Sequence, residues 1–253
     1  MNPPSRHRDL VNHLCRHVGW CYHRAVMIGD REAHLWLTEP TATHGEELLD
    51  PTERARYQRY LRADDRQLFL SAHTFVRRVL STYVPVAPQD LLLEVDPHGR
   101  PEIAGRPLRF SLSHAPGIVA CLVTRSADCG VDAEDTRRID KPLEIAKSVF
   151  SHDEQRALLD LEPPRLRARF FRTWTLKEAY VKARGLGLAL PLDRFSFSTP
   201  GDGVTFTCHE VPPQDPAQWQ FEVFRPSPHH VVSVALRLEH REPLAVSCRS
   251  LEP

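Results

Sequence analysis

Nothing in the 253 residues comes close to a membrane span: no apolar run approaches the ~20 residues a bilayer crossing needs. An excess of charge of one sign is also missing. Lysine plus arginine number 33 and aspartate plus glutamate 33, so no global field favours nucleic acid or a membrane surface, and any anion site must be local. The six cysteines, at 15, 21, 121, 129, 208 and 248, include no CxxC pair and no zinc-finger spacing. That argues against a thiolate metal centre or a disulfide framework and for free thiols in a reducing cytoplasm. Residues 1–33 hold four histidines (His7, His13, His17, His23) but no apolar h-region, so a secretory signal is not expected there. Their spacing of six, four and six residues fits no single helix face, so they read as surface groups on a poorly ordered N-terminal extension. The remainder, in a chain 41% hydrophobic and 26% charged, suffices for one large domain or two modest ones.

What is present is organised around Phe170 to Leu190, FFRTWTLKEAYVKARGLGLAL. Good helix formers crowd its centre and Gly185 follows the last of them, which predicts a helix with a glycine stop. Trp174, Glu178 and Lys182 recur every four residues, so ring, carboxylate and ammonium stack along one face. A solvated Glu-to-Lys pair beside a core tryptophan would have the same spacing. Upstream, Gly130-Val131-Asp132-Ala133-Glu134-Asp135 follows the apolar run Ile118 to Val123. If 130–134 is extended, Asp132 and Glu134 point the same way. Two acids on a strand and a third on a helix would form an oxygen cage. Without histidine or thiolate, such a cage suits a hard cation such as Mg2+, and Lys182 would fit the charge developing on a phosphate leaving group. Spacing alone therefore suggests metal-assisted phosphate chemistry.

Gly130-Val131-Asp132-Ala133-Glu134, followed by Trp174-Thr175-Leu176-Lys177-Glu178-Ala179-Tyr180-Val181-Lys182, resembles the paired signature of the 4′-phosphopantetheinyl transferases. Phe110-Ser111-Leu112-Ser113-His114 is similar to the serine-histidine motif of the larger, surfactin-type branch of that family, and the resemblance runs from about residue 34 to about residue 240. It implies two similar α/β halves in a pseudo-twofold arrangement with the active site in the cleft between them. It further implies transfer of phosphopantetheine from coenzyme A to a serine of an apo acyl or peptidyl carrier protein, by a cytoplasmic monomer. By the same resemblance, Asp132, Glu134 and Glu178 would hold Mg2+, with Mn2+ as a substitute. Arg56 (or Arg54 or Arg59 in its place), Arg100 (in His98-Gly99-Arg100-Pro101), Ser113, His114 and Lys182 would contact coenzyme A, and Lys177 would either contact a phosphate or give structural support. Lys182 would act on the leaving phosphate, and Glu154 or a metal-bound water would take the serine proton, although Glu154 three residues after Ser151 also reads as a capping-box partner. Two rivals remain: a metal-dependent phosphoesterase or nucleotide hydrolase using the same carboxylates, and a non-catalytic coenzyme-A-binding module, against which the intact Asp132, Glu134, Glu178 and Lys182 speak.

The rest of the chain predicts α+β. A short strand spans 33–37, and Asp50-Pro51-Thr52-Glu53 opens the first of two helices with a break near Ala63-Asp64-Asp65. Two helices over Asp140 to Leu161 are separated at Ser151. Period-two patterns from Phe195 to Leu238 read as an antiparallel meander. The halves are expected at 34–125 and 126–243, with 244–253 as a tail.

Overall fold

The chain runs through one small plan twice. In the computed structural model, which describes residues 26–210 and 212–251, the first pass comprises β1 (Glu32–Thr38), α1 (Pro51–Arg59), α2 (Ala63–Ser81), β2 (Leu93–Val95), β3 (Pro101–Ile103), β4 (Arg109–Ala115) and β5 (Ile118–Thr124). The second comprises β6 (Cys129–Asp135), α3 (Pro142–Val149), α4 (His152–Arg156), α5 (Pro163–Arg184), β7 (Phe195–Ser198), β8 (Thr205–Cys208), β9 (Trp219–Ser227) and β10 (His230–Arg237); β11 (Ala245–Arg249) follows. In each pass the opening strand pairs antiparallel with the final one, which pairs antiparallel with the strand before it. The orders β1-β5-β4 and β6-β10-β9 therefore correspond, and the architecture is α+β in two similar halves. The change of half falls between β5 and β6.

Local chemistry sets the element ends. Asp50 and Glu53 form a reciprocal capping box with Pro51 at the first helical position, and Ser151 and Glu154 form a second one at α4. Gly185 takes a left-handed φ of 64° and closes α5, its N–H bonding to the carbonyls of Val181 and Lys182. All seven residues of β5 are buried because the strand serves two cores. Val119, Cys121 and Val123 pack with Phe75, Val76 and Val79 of α2, whereas Ile118, Ala120 and Leu122 pack with Val131 of β6 and Val234 of β10. Around Tyr180 the rings of Phe195, Phe206 and Trp219 gather within 4.9 Å of its centroid and fix α5 on the second half. Among the described residues, no helix is long and apolar enough to cross a membrane.

Four expectations need correction. The helix break lies at residues 60–62, a few positions early, because Tyr60 caps α1 in an extended conformation. The meander is two objects: β7 and β8 form their own sheet, while β9 and β10 complete the sheet of β6. The tail is not free, since β11 pairs parallel with β1 from Glu32 opposite Ala245 to Trp36 opposite Arg249. The boundary of the extension at 33 is also late: the Val26 N–H donates to the Thr82 carbonyl at 2.9 Å and Ile28 is buried in the α2 core. His7, His13, His17 and His23 lie outside the described residues.

Candidate active site

Strand β6 and helix α5 build the site by crossing unusually closely. A Cβ on Gly130 would lie 2.0 Å from the Ala179 carbonyl oxygen and 2.5 Å from the Ala183 nitrogen, so only glycine admits this contact. The crossing lays the face of α5 that carries Trp174, Glu178 and Lys182 along the face of β6 that carries Asp132 and Glu134. Lys182 Nζ donates to Asp132 Oδ1 at 2.6 Å, and the Trp174 indole Nε1–H donates to Glu134 Oε1 at 3.1 Å. Trp174 is therefore a hydrogen-bond donor to the carboxylate as well as a ring stacked on Phe170.

The two halves meet here through side chains. Ser111 Oγ of β4 accepts the Val131 N–H and Ser113 Oγ accepts the Ala133 N–H, each at 3.1 Å. The i,i+2 spacing of the two serines puts both hydroxyls on one face of β4, a signal present in the sequence but not used there for Ser111. Beside this seam opens a cleft of about 670 Å³, lined among others by Arg100, Val149, Glu178, Lys182 and Leu192. Asp96 Oδ1 accepts the N–H groups of His98 and Arg100 and so shapes the turn that presents Arg100. His114 follows Ser113 on β4 and is exposed. Desolvation first, and then the charges of His73, Lys182 and Arg56, hold its imidazole down to about 4. Arg56 is exposed on α1, its guanidinium 5.5 Å from the Phe69 ring centroid.

Three expected site residues stand differently. Glu154 is 4% exposed and every oxygen is engaged: Oε1 accepts the Phe197 N–H, while Oε2 accepts the Ser151 N–H and Lys177 Nζ at 2.6 Å. Lys177 is fully buried and also donates to the Phe195 carbonyl at 2.7 Å. This pair ties α4 and β7 to α5 and does not line the cleft, so neither the proton-acceptor role nor the coenzyme contact fits. The side chain of Lys177, one position before Glu178, emerges on the other side of the helix. Ser113, in turn, has its one proton committed to Asp132 Oδ1 at 3.0 Å and none to offer a phosphate.

Asp132, Glu134 and Glu178 act on one another's charge. Burial, then Asp132, and more weakly Glu178, push Glu134 up to about 7; burial and Asp132 also raise Glu178. Asp132 Oδ2 is buried without a hydrogen-bond partner. Among the described residues no three histidine, cysteine or carboxylate side chains stand ready to close on a metal ion. In their place Lys182 neutralises Asp132, and Trp174 holds Glu134. The donor set nonetheless fits a hard cation: it is all oxygen, it repels itself, and it leaves one buried oxygen unsatisfied.

The raised pKa values make stability depend on pH. A carboxyl whose folded pKa lies above its unfolded one binds its proton more tightly in the native state, so its contribution declines as pH rises from the ordinary carboxylate range through about 7. His114, held low, acts in the opposite direction below its ordinary 6.5. In EDTA, the melting temperature of Glu134→Gln minus that of wild type should therefore grow as pH rises through about 7, and saturating Mg2+ should flatten it. A difference independent of pH in EDTA would refute the clustered-carboxylate reading.

Comparison with known proteins adds the family. The model of the 4′-phosphopantetheinyl transferase superfamily matches residues 128–235, which include β6 and all of α5. The 4′-phosphopantetheinyl transferase Sfp of Bacillus subtilis (strain 168) is 33% identical over 156 residues, covering 61% of this chain and 68% of that protein. The 4′-phosphopantetheinyl transferase HetI of Nostoc sp. is 31% identical over 167 residues, covering 62% and 70%. Among solved structures, a holo-(acyl-carrier-protein) synthase from Bacillus anthracis superposes at a TM-score of 0.38 with 19% identity, covering 45% of this chain and 100% of that one, a likeness too loose to enter the assignment. With Sfp a third identical across two thirds of its length, the chain belongs to the 4′-phosphopantetheinyl transferase superfamily.

Proposed function

We propose that the protein moves the 4′-phosphopantetheine arm of coenzyme A onto a serine of an apo acyl or peptidyl carrier protein and releases adenosine 3′,5′-bisphosphate. The observation that carries this reading is the cleft in which Glu178, Lys182 and Arg100 meet beside Asp132 with its unsatisfied Oδ2. Arg100 offers a guanidinium fork to a phosphate, and Arg56 and Lys182 lie near enough to the exposed His114 to act on its charge. His114 enters as a neutral imidazole, a donor or acceptor of one hydrogen bond at each nitrogen.

Asp132, Glu134 and Glu178 would hold Mg2+, or Mn2+ in its place, which when bound neutralises diphosphate charge and polarises the phosphoryl group. The chain's own residues do the rest. Lys182, half in the cleft and half on Asp132, is placed to compensate negative charge as the bond from phosphorus to the departing nucleotide breaks and the bond to the serine oxygen forms. The Trp174 indole keeps Glu134 turned towards the helix. On this reading the carriers belong to fatty acid, polyketide or nonribosomal peptide synthesis, and the resemblance extends the reading to a monomer in the cytoplasm.

Mass spectrometry of an apo carrier incubated with the protein, coenzyme A and Mg2+ tests the proposal. A metal-dependent gain of about 340 Da, the mass of the transferred arm, is expected. Release of nucleotide from coenzyme A without any carrier would favour the hydrolase, and coenzyme A bound but unchanged across several carriers would favour the binding module.

A further inference from the structure

We infer that Ser113 is a positioning residue that sets Asp132 and Lys182 for the cation; the inference rests on the transferase reading above. The valences of one hydroxyl decide it. Serine Oγ has one proton and two lone pairs. Here the proton goes to Asp132 Oδ1 at 3.0 Å, and the lone pairs accept the Ala133 N–H at 3.1 Å and Lys182 Nζ at 3.0 Å. All three valences are spent, and the residue is only 7% exposed. His114, next on the strand, points the opposite way and is exposed, so the histidine alone presents itself to a ligand.

Two consequences follow for the ligand cage. Asp132 Oδ1 receives both Ser113 and Lys182, which leaves the buried and unpartnered Oδ2 as the oxygen free for a cation. The three N–H bonds of Lys182 end on Ser113 Oγ, the Val131 carbonyl and Asp132 Oδ1, at 3.0, 3.1 and 2.6 Å, so one hydroxyl helps to aim both the carboxylate and the ammonium. Because Ser113 is also bonded to the β6 backbone, the packing of the first half on the second is coupled to the orientation of Asp132. Ser111 makes the same kind of seam bond, to the Val131 N–H at 3.1 Å, with no bond to Asp132 or Lys182. Comparing the two serines therefore separates the seam from the hub.

The experiment is Mn2+ affinity, read by electron paramagnetic resonance, with thermal unfolding alongside, for wild type, Ser113→Ala, Ser113→Thr and Ser111→Ala. Partners of metal ligands usually account for about 10–100-fold in affinity, and Ser113→Ala should lose that much Mn2+ affinity, a larger factor than it loses for coenzyme A. Ser113→Thr keeps the hydroxyl on a strand that tolerates β-branching and should recover most of the loss. Ser111→Ala should lower the melting temperature about as much as Ser113→Ala while keeping wild-type Mn2+ affinity. Unchanged Mn2+ affinity in Ser113→Ala overturns the inference, as does equal weakening in both alanine variants or a selective loss of coenzyme A. Carrier modification by wild type is scored separately: a protein that binds Mn2+ but modifies no carrier ends the transferase reading, while the Mn2+ comparison still decides the part played by Ser113.

Discussion

Gly130→Ala is expected to cost the fold at least about 3 kcal/mol and to lower the melting temperature by roughly 6–12 °C. The reason is which atoms the new methyl would meet. Overpacking is tolerable when the far end of a flexible side chain can swing aside, but here the methyl would fall 2.0 Å from the Ala179 carbonyl oxygen and 2.5 Å from the Ala183 nitrogen, both inside α5. Relief requires moving the helix off β6. That motion pulls Lys182 from Asp132 and Trp174 from Glu134, so activity should fall further than stability alone explains. Gly29→Ala is the comparison, because its methyl would meet only the Glu32 side chain at 3.5 Å, and it should stay within about 0.5 kcal/mol of wild type. Equal melting temperatures for the two variants, by calorimetry, would show that the close crossing does not hold the site.

That crossing also explains what could and could not be read from the sequence. The face of α5 was legible because a four-residue recurrence of tryptophan, glutamate and lysine has one helical meaning, and the shared direction of Asp132 and Glu134 followed from strand alternation alone. Both capping boxes were legible for the same reason: their chemistry is local. What failed was non-local. Lys177 sits inside a charged motif, and its full burial on Glu154 and the Phe195 carbonyl depends on β7 folding back over α5. A buried ion pair of this kind leaves no periodic trace. Glu154 was correctly open to a capping role, but its further engagement by Phe197 and Lys177 could not be derived from spacing. The β11 strand was missed because five residues of weak alternation mean little until β1 offers an edge to pair with.

Glu178→Gln should do two opposite things: abolish carrier modification, by a factor on the order of a thousand or more, and raise the melting temperature of the metal-free protein. The sign of the second effect follows from linkage. Burial first and Asp132 second raise the folded pKa of Glu178, so at neutral pH and above the ionised carboxylate is less favourable in the native state than in the unfolded chain. The amide is nearly isosteric and removes that cost. Asp132→Ala should match the loss of activity but reverse the effect on stability, because it strips Lys182 of its 2.6 Å acceptor and Ser113 of its proton acceptor while adding a small void. Saturating Mg2+ should then reorder the series, since ligand binding stabilises only the proteins that retain the cage, and wild type should overtake Glu178→Gln. Calorimetry in EDTA and in Mg2+, paired with mass-spectrometric carrier assays, reads all four signs. Retained transfer in Glu178→Gln would remove that carboxylate from the cation set. A lower melting temperature for Glu178→Gln in EDTA would mean that the three acids do not oppose one another in the empty protein, and that Lys182 already balances them.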